Sequence, residues 1–312
     1  MIRFEGVSRR FAGADRPAVD GIDLDITEGT TCVFIGPSGC GKSTTLRMVN
    51  RLVEPDAGRI LLDGRDVAGV DPVRLRRGIG YVLQGIGLFP HRTVAQNVAT
   101  VPKLSGWSRS RVADRVDEML ALVGLDPRDY RDRRTDELSG GQRQRVGVAR
   151  ALAADPAVLL MDEPFGAVDP VSRSRLQIEI GAILRRLNKT VIIVTHDIDE
   201  AMRMGDRVVL MREGRIVQAD TPDRVLVAPA DPFVESFVGE DRALRRLALT
   251  QAGVVAAPGE AGDAPSVTAE TSLKDALALL LSTGTDRLAV TGNGAPAILT
   301  LAAIRDAASR RT

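Results

Sequence analysis

The chain has 312 residues, enough for two domains or one large one. Its hydrophobic content of 44% supports a full core, while a formal net charge of +1 supplies no field that favours nucleic acid or an anionic membrane. Aromatic residues make up only 3%, which argues against a base-stacking surface as well.

The two cysteines, Cys32 and Cys40, stand at either end of one strand–loop junction, and a reducing compartment fits them better than a disulfide. The start, Met1-Ile2-Arg3-Phe4-Glu5, lacks the apolar stretch of a secretion signal, so none is expected. No apolar run approaches the length of a membrane span, so a membrane role would have to come through partners.

Residues 1–31 alternate in the β manner, and Ile2, Phe4 and Val7, then Val19, Ile22, Leu24 and Ile26, predict an antiparallel pair. A strand over 32–35, a Gly-rich loop and a helix over 44–52 follow. Strands are expected at 60–62 and 79–83, with Gln84 at the end of the second. The stretch 94–125 reads as helical, with Val112, Val116, Met119, Leu120 and Val123 on one face.

A helix from Gly140 to Ala154 leads to a buried-type strand over 157–163 that ends in Asp162-Glu163. A helix over 170–187 precedes a second buried strand, 190–196, ending in His196. A hairpin spans 208–218. This alternation implies an α/β core with added antiparallel strands near the start. Residues 239–265, rich in Gly, Ala, Pro and acids from 252 on, read as a linker. A β-α-β-β-α unit is expected over 266–312: strand 266–268, helix 272–282, strands 287–290 and 297–300, helix 301–309. It is small for an independent domain, so a partner is expected to cover it.

Gly36-Pro37-Ser38-Gly39-Cys40-Gly41-Lys42-Ser43-Thr44 has the G-x-x-x-x-G-K-S spacing of a P-loop between a strand and a helix. Its glycines let successive backbone N–H groups turn inward around phosphate oxygens. The helix N-terminus adds free donors and partial positive charge. Lys42 can reach the β/γ-phosphates, and the Ser43 hydroxyl can ligate Mg²⁺. Only four lysines stand among the 42 basic residues, so a lysine at this position is not background.

Three buried strands thus deliver polar residues at their carboxyl ends, where ligands bind in open α/β sheets. Asp162 suits Mg²⁺, and Glu163 can face an attacking water as general base. His196 could hold the γ-phosphate or that water, and Gln84 could ligate Mg²⁺ or water.

Leu138-Ser139-Gly140-Gly141-Gln142-Arg143-Gln144-Arg145 completes a set. Together with the loop, Asp162-Glu163 and His196, it closely resembles the ATPase subunits of ABC transporters over residues 1 to about 238. The resemblance implies a P-loop NTPase of ABC type, with a RecA-like mixed-sheet core, an antiparallel β subdomain and a helical subdomain. It implies ATP and Mg²⁺, with Ser43, Gln84 and Asp162 around the metal and Glu163, His196 and Gln84 in catalysis. It also implies a head-to-tail homodimer, in which Leu138, Ser139, Gly140, Gly141 and Gln142 of one copy cover ATP on the other. Phe11 sits where an adenine-stacking aromatic is expected. Asp169 lies in Gly166-Ala167-Val168-Asp169, the loop linking the two sites. Gln84 and the apolar Gly-rich stretch 85–91 match the surface that meets the permease.

Ile86-Gly87-Leu88-Phe89-Pro90-His91, Asn97–Pro102, Phe233–Gly239 and Asp241–Leu247 resemble the quaternary-amine uptake subfamily, whose members often carry CBS units. Residues 266–312 are similar to one half of a CBS pair, and this half would pair with that of the other subunit. The ribose-binding T-x-x-D of such units reads Thr300-Leu301-Ala302-Ala303 here, without the Asp. Arg305, Arg310 and Arg311 leave a basic end that reads first as solvated and second as a sensor of anionic lipid or ionic strength.

The resemblance implies an ATP-hydrolysing subunit for import of glycine betaine, carnitine, choline or a related amine. It would be peripheral on the cytoplasmic face of the cell membrane, with permease subunits and, indirectly, an extracytoplasmic substrate-binding protein as partners. Import of an amino acid or polyamine is the alternative. A soluble ABC protein acting on ribosomes or DNA fits less well, since the chain has one ATPase unit and no nucleic-acid surface.

Overall fold

The computed structural model describes residues 1–309 except 86 and 293. Ile86 of the 86–91 stretch, and Arg310 and Arg311 of the basic end, therefore lie outside the described residues. The chain divides into two compact units, Met1–Ala219 and Asp220–Thr312.

In the first unit the alternating N-terminal stretches form β1 (Ile2–Arg9) and β2 (Val19–Ile26), paired antiparallel. With β4 (Ala57–Leu62) and β5 (Arg65–Asp66) they make a sheet in the order β2-β1-β4-β5. The second sheet uses β3 (Thr31–Ile35), β6 (Ile79–Val82), β7 (Val158–Asp162), β8 (Thr190–Val194), β9 (Arg207–Arg212) and β10 (Arg215–Asp220). Its order is β10-β9-β3-β8-β7-β6, and β6, β7, β8, β3 and β9 run parallel. All side chains of β3, β7 and β8 are buried, because parallel strands are covered on both faces.

One apolar cluster joins Phe4, Ile22 and Ile26 of the first sheet to Phe34 and Val194 of the second, with Leu46, Met48 and Val49 of helix Lys42–Val49. This packing fixes the ends of β3, β7 and β8 relative to that helix. It is the frame on which the site is built.

The stretch 94–125, expected as helical throughout, holds helices Val94–Val98, Thr100–Leu104 and Arg109–Leu122. Pro102 explains the first break, at Ala99: proline fits the first turn of a helix but would remove a hydrogen bond from a continuous one. Gly106, in the left-handed region (φ 75°), stands in the second. The predicted apolar face of the third helix is buried, with Val112, Val116, Met119 and Leu120 inside, and it packs on helix Gly140–Leu152.

In the second unit the β-α-β-β-α order holds. β12 (Ser266–Thr268), β13 (Arg287–Thr291) and β14 (Ala297–Thr300) alternate with helices Leu273–Thr283 and Leu301–Ser309. A short β11 (Ala257–Pro258) adds to the edge, giving β11-β14-β13-β12.

The linker expected over 239–265 is not one. It carries helices Arg242–Leu249 and Ala252–Val255, and Leu247 and Ala252 lie in the same core as Leu273, Leu288 and Leu299. Its Gly, Ala, Pro and acids from 252 on mislead by composition, and the arginines before them are accounted for by pairing. These arginines sit on the polar face and pair with acids, Arg242 with Glu235, Arg245 with Asp241 and Arg246 with Asp223. Helices Pro222–Val227 and Pro232–Val238 also belong to this unit, so its start falls well before the boundary expected at 238. Among the described residues no helix is long and apolar enough to cross a membrane.

Candidate functional site

The Gly-rich loop leaves β3 and closes on helix Lys42–Val49. Two of its glycines are required by sterics. A Cβ at Gly36 (φ 145°) would lie 2.2 Å from the Met211 carbonyl, and one at Gly41 (φ 108°) 2.2 Å from that of Ala18. Both glycines therefore let backbone approach backbone where no side chain fits. The helix begins at Lys42, two residues earlier than predicted, so Lys42 and Ser43 themselves form its first turn. The buried Lys42 ammonium donates to the carbonyls of Gly36 (2.8 Å) and Pro37 (2.9 Å), with Cys40 Sγ at 3.6 Å. Cys32 and Cys40 are both free thiols, and burial pushes Cys32 up to about 12.

Ser43 Oγ donates to Asp162 Oδ1 at 2.9 Å, joining the helix to the tip of β7. Asp162 is buried, and desolvation raises its pKa; the Ser43 bond and Arg47, 3.8 Å away, act in the opposite direction.

Glu163 follows in the left-handed region (φ 46°), which side chains other than glycine seldom adopt. Its backbone N–H donates to Val194 at the end of β8 (2.8 Å), so the turn is pinned to the neighbouring strand. The left-handed turn carries the Glu163 carboxylate out of the strand line. There Gln84 Nε2 donates to Oε2 at 3.0 Å, and His196 Nδ1 lies 3.3 Å from Oε1. The ends of β3, β6, β7 and β8 thus bring Lys42, Ser43, Asp162, Glu163, Gln84 and His196 into one cluster. Among the described residues there is no group of three His, Cys, Asp or Glu side chains that could hold a metal by themselves. Ser43 and Asp162 instead offer two adjacent hard oxygens, which suits a cation that takes its other ligands from phosphate and water.

The remaining predicted residues take their contacts elsewhere. Phe11 is exposed, with the Arg9 guanidinium 5.0 Å over its ring. Ser139 is the N-cap of helix Gly140–Leu152 in a capping box with Gln142: its Oγ accepts from the Gln142 N–H, and Gln142 Oε1 accepts from the Ser139 N–H. Leu138 is buried beside it. At Gly140 a Cβ would stand 2.9 Å from the Ala167 carbonyl, whereas Gly141 faces open space. Asp169 caps helix Pro170–Arg186 through the Ser172 N–H.

A family model described as ABC transporter matches residues 19–166. The glycine betaine uptake system ATP-binding protein YehX of Escherichia coli (strain K12) is 50% identical over 93% of this chain and 94% of its own length. The chain belongs to the ATP-binding subunits of ABC transporters.

The glycine betaine/carnitine/choline transport ATP-binding protein OpuCA of Bacillus subtilis (strain 168) is 53% identical over 78% of the ABC ATPase described above, and the match spans 64% of OpuCA's length. Among solved structures, a dimeric post-hydrolysis state of the ATP-binding cassette MJ0796 bound to ADP and Pi has a TM-score of 0.64 at 30% identity. It covers 71% of this chain and 99% of that one. As a member of the family the ABC ATPase binds ATP and hydrolyses it.

Several residues of this ABC ATPase hold the site in shape without being among the site residues expected from the sequence. Arg47 faces Asp162 from the helix after the Gly-rich loop. Asn97, fully buried, accepts from the Phe89 N–H and donates toward the carbonyls of Phe89, Arg92 and Thr93, which fastens the loop after Gln84. Arg150 donates to the Gly87 carbonyl at 2.7 Å and binds the same loop to helix Gly140–Leu152. Each lies on a helix, where one polar side chain does not reveal in sequence whether it turns inward.

Proposed function

We propose that this ABC ATPase energises import of a quaternary-amine osmoprotectant, of the glycine betaine, carnitine or choline class, with Glu163 as the general base of ATP hydrolysis. The observation that carries the reading is the Glu163 carboxylate, fixed by Gln84 and His196 and next in the chain to the Asp162–Ser43 pair. The substrate class is supported by the names of relatives such as YehX and OpuCA, at about half identity.

In this reading the N–H groups of residues 36–44 and the Lys42 ammonium bind the β- and γ-phosphates. Ser43 and Asp162, with Gln84, hold Mg²⁺, which when bound neutralises phosphate charge. Glu163 takes the proton of the attacking water while His196 orients the γ-phosphate end. Phe11 stacks on the adenine. Two copies pair, a reading supported by the dimeric state of the MJ0796 cassette. In that pair, arranged head to tail, Leu138–Gln142 and Asp169 act across the interface. Gln84 and the loop after it meet permease subunits from the cytoplasmic side, and an extracytoplasmic binding protein delivers the substrate to them.

The test is uptake of labelled glycine betaine and choline by cells or proteoliposomes carrying the complete transporter, with spermidine and an amino acid as competitors. Quaternary amines are expected to be imported and to compete with one another. Glu163→Gln should abolish uptake and lower ATP turnover by at least ~100-fold, while ATP binding changes by less than ~3-fold. Turnover by Glu163→Gln at the wild-type rate would remove the base, and uptake displaced only by spermidine would replace the substrate class.

A further inference from the structure

His196 is held between two tied neighbours. β8 ends at Val194, and the Thr195 N–H is anchored on β3 through the Phe34 carbonyl (3.1 Å). The buried Thr195 hydroxyl accepts from the Asp197 N–H (3.0 Å) and donates to Glu200 Oε2 (3.1 Å). Asp197 Oδ1 in turn accepts from the Glu200 N–H (3.1 Å), capping helix Ile198–Met204. These three bonds close a ring through Thr195, Asp197 and Glu200, and His196 stands in its turn with its own side chain 63% exposed.

The ring reaches one element further. Arg173, on helix Pro170–Arg186, donates to the Val168 carbonyl at 3.0 Å and lies 3.8 Å from Asp197 Oδ2. Val168 belongs to the loop 166–169 that, in the proposed reading, links the two nucleotide sites. The turn carrying His196 and that loop are therefore joined through one guanidinium.

Capping alone does not explain Glu200. The cap uses only its backbone N–H and the Asp197 carboxylate. The Glu200 side chain is 3% exposed, and its Oε1 is buried without a hydrogen-bond partner. A buried carboxyl so poorly satisfied costs stability relative to an apolar residue of the same volume. What it supplies in return is the fixed acceptor that orients the Thr195 hydroxyl.

We propose that Glu200 is a positioning residue, whose carboxyl group acts through Thr195 to hold the turn that presents His196 to Glu163. The inference rests on the reading of His196 given above. Burial raises the Glu200 carboxyl, which favours the neutral acid at the site, with Thr195 and Arg173 opposing that rise and Asp197 and Glu163 adding to it. From its own helix, Arg203 is engaged with Gln177 Oε1 (2.6 Å).

The experiment compares Glu200→Gln, Glu200→Ala, His196→Ala and the double variant His196→Ala/Glu200→Ala in the full-length chain within the assembled transporter, measuring kcat and the ATP dissociation constant. Glu200→Gln, a neutral isostere, should stay within about 2-fold of wild-type kcat at pH 7, while Glu200→Ala loses about 10-fold or more with ATP affinity within about 2-fold. The double variant should be no more than about 2-fold slower than His196→Ala, because both changes disable the same group. Should Glu200→Ala fail to fold, Thr195→Val, which removes the oriented hydroxyl, enters the same cycle with the same expectation.

Equal damage from Gln and Ala, an unchanged kcat in Glu200→Ala, or losses that multiply in the double variant would each overturn the inference. His196→Ala at the wild-type rate would remove the role of His196 and this inference with it. An impaired His196→Ala beside multiplying losses removes only the tie through Glu200.

Discussion

At the scale of single residues, the same Glu200 carboxyl makes stability depend on pH in a direction opposite to that of paired surface acids. Burial lifts it from 4.5 to about 8, partly offset by the Thr195 hydrogen bond. Between those values the native state keeps a proton that the unfolded chain releases. Stability from this group is therefore fully present below pH 4.5 and is lost as pH rises through 8. Glu200→Gln cannot ionise, so its unfolding free energy from urea titration should gain on wild type between pH 5 and pH 9, by about 2–4 kcal/mol. A difference that stays constant across that range would refute it. Lys42, Ser43, Asp162, Glu163, Gln84 and His196 were legible in the sequence because each ends an apolar run or sits in a Gly-rich turn. Glu200 was not, since a glutamate three residues into a short helix looks like any solvated one. Nor was the left-handed backbone at Glu163, which depends on a bond to Val194 on a strand that comes later in the chain.

At the scale of elements, the segment after Gln84 is shaped by side chains from two helices rather than by its own sequence. Asn97 makes both donor and acceptor bonds to the loop at Phe89, Arg92 and Thr93, and Arg150 holds Gly87 from another helix. Asn97→Ala leaves one loop N–H and several carbonyls without these partners inside the fold. The expected loss is about 2–3 kcal/mol in a urea titration, with ATP affinity unchanged because Asn97 touches no part of the Gly-rich loop. A loss below about 0.5 kcal/mol would mean that the loop keeps its shape without Asn97. Strands were the easier elements to read, for apolar runs between turns fix β3, β7 and β8 to within a residue or two. Helix boundaries were harder, since the 94–125 pattern continues across the breaks at Ala99 and at 105–108. Helix Arg242–Leu249 was hidden because the Gly-, Ala- and Pro-rich stretch from 252 on set the reading of the whole segment, while an acidic partner of its arginines, Asp223, lies some twenty residues earlier.

At the scale of the whole molecule, the described residues place an apolar core in each of the two units. One joins both sheets of Met1–Ala219, and the other lies within Asp220–Thr312 around Leu247, Leu273, Leu288 and Leu299. Each core can lose its packing cooperatively, which is the condition for a transition of its own. The Gly-rich loop, Asp162, Glu163 and His196 all belong to the first unit, so a ligand that binds there stabilises that unit by mass action. Calorimetry of the Glu163→Gln variant, which is expected to hold ATP without consuming it, should therefore resolve two transitions. Mg-ATP at a hundredfold excess over its dissociation constant adds about 2.7 kcal/mol to one of them. For a unit of this size that moves the midpoint by roughly 5–10 °C, and the other transition stays where it was. A single transition that shifts as a whole would show the two cores to be one folding unit.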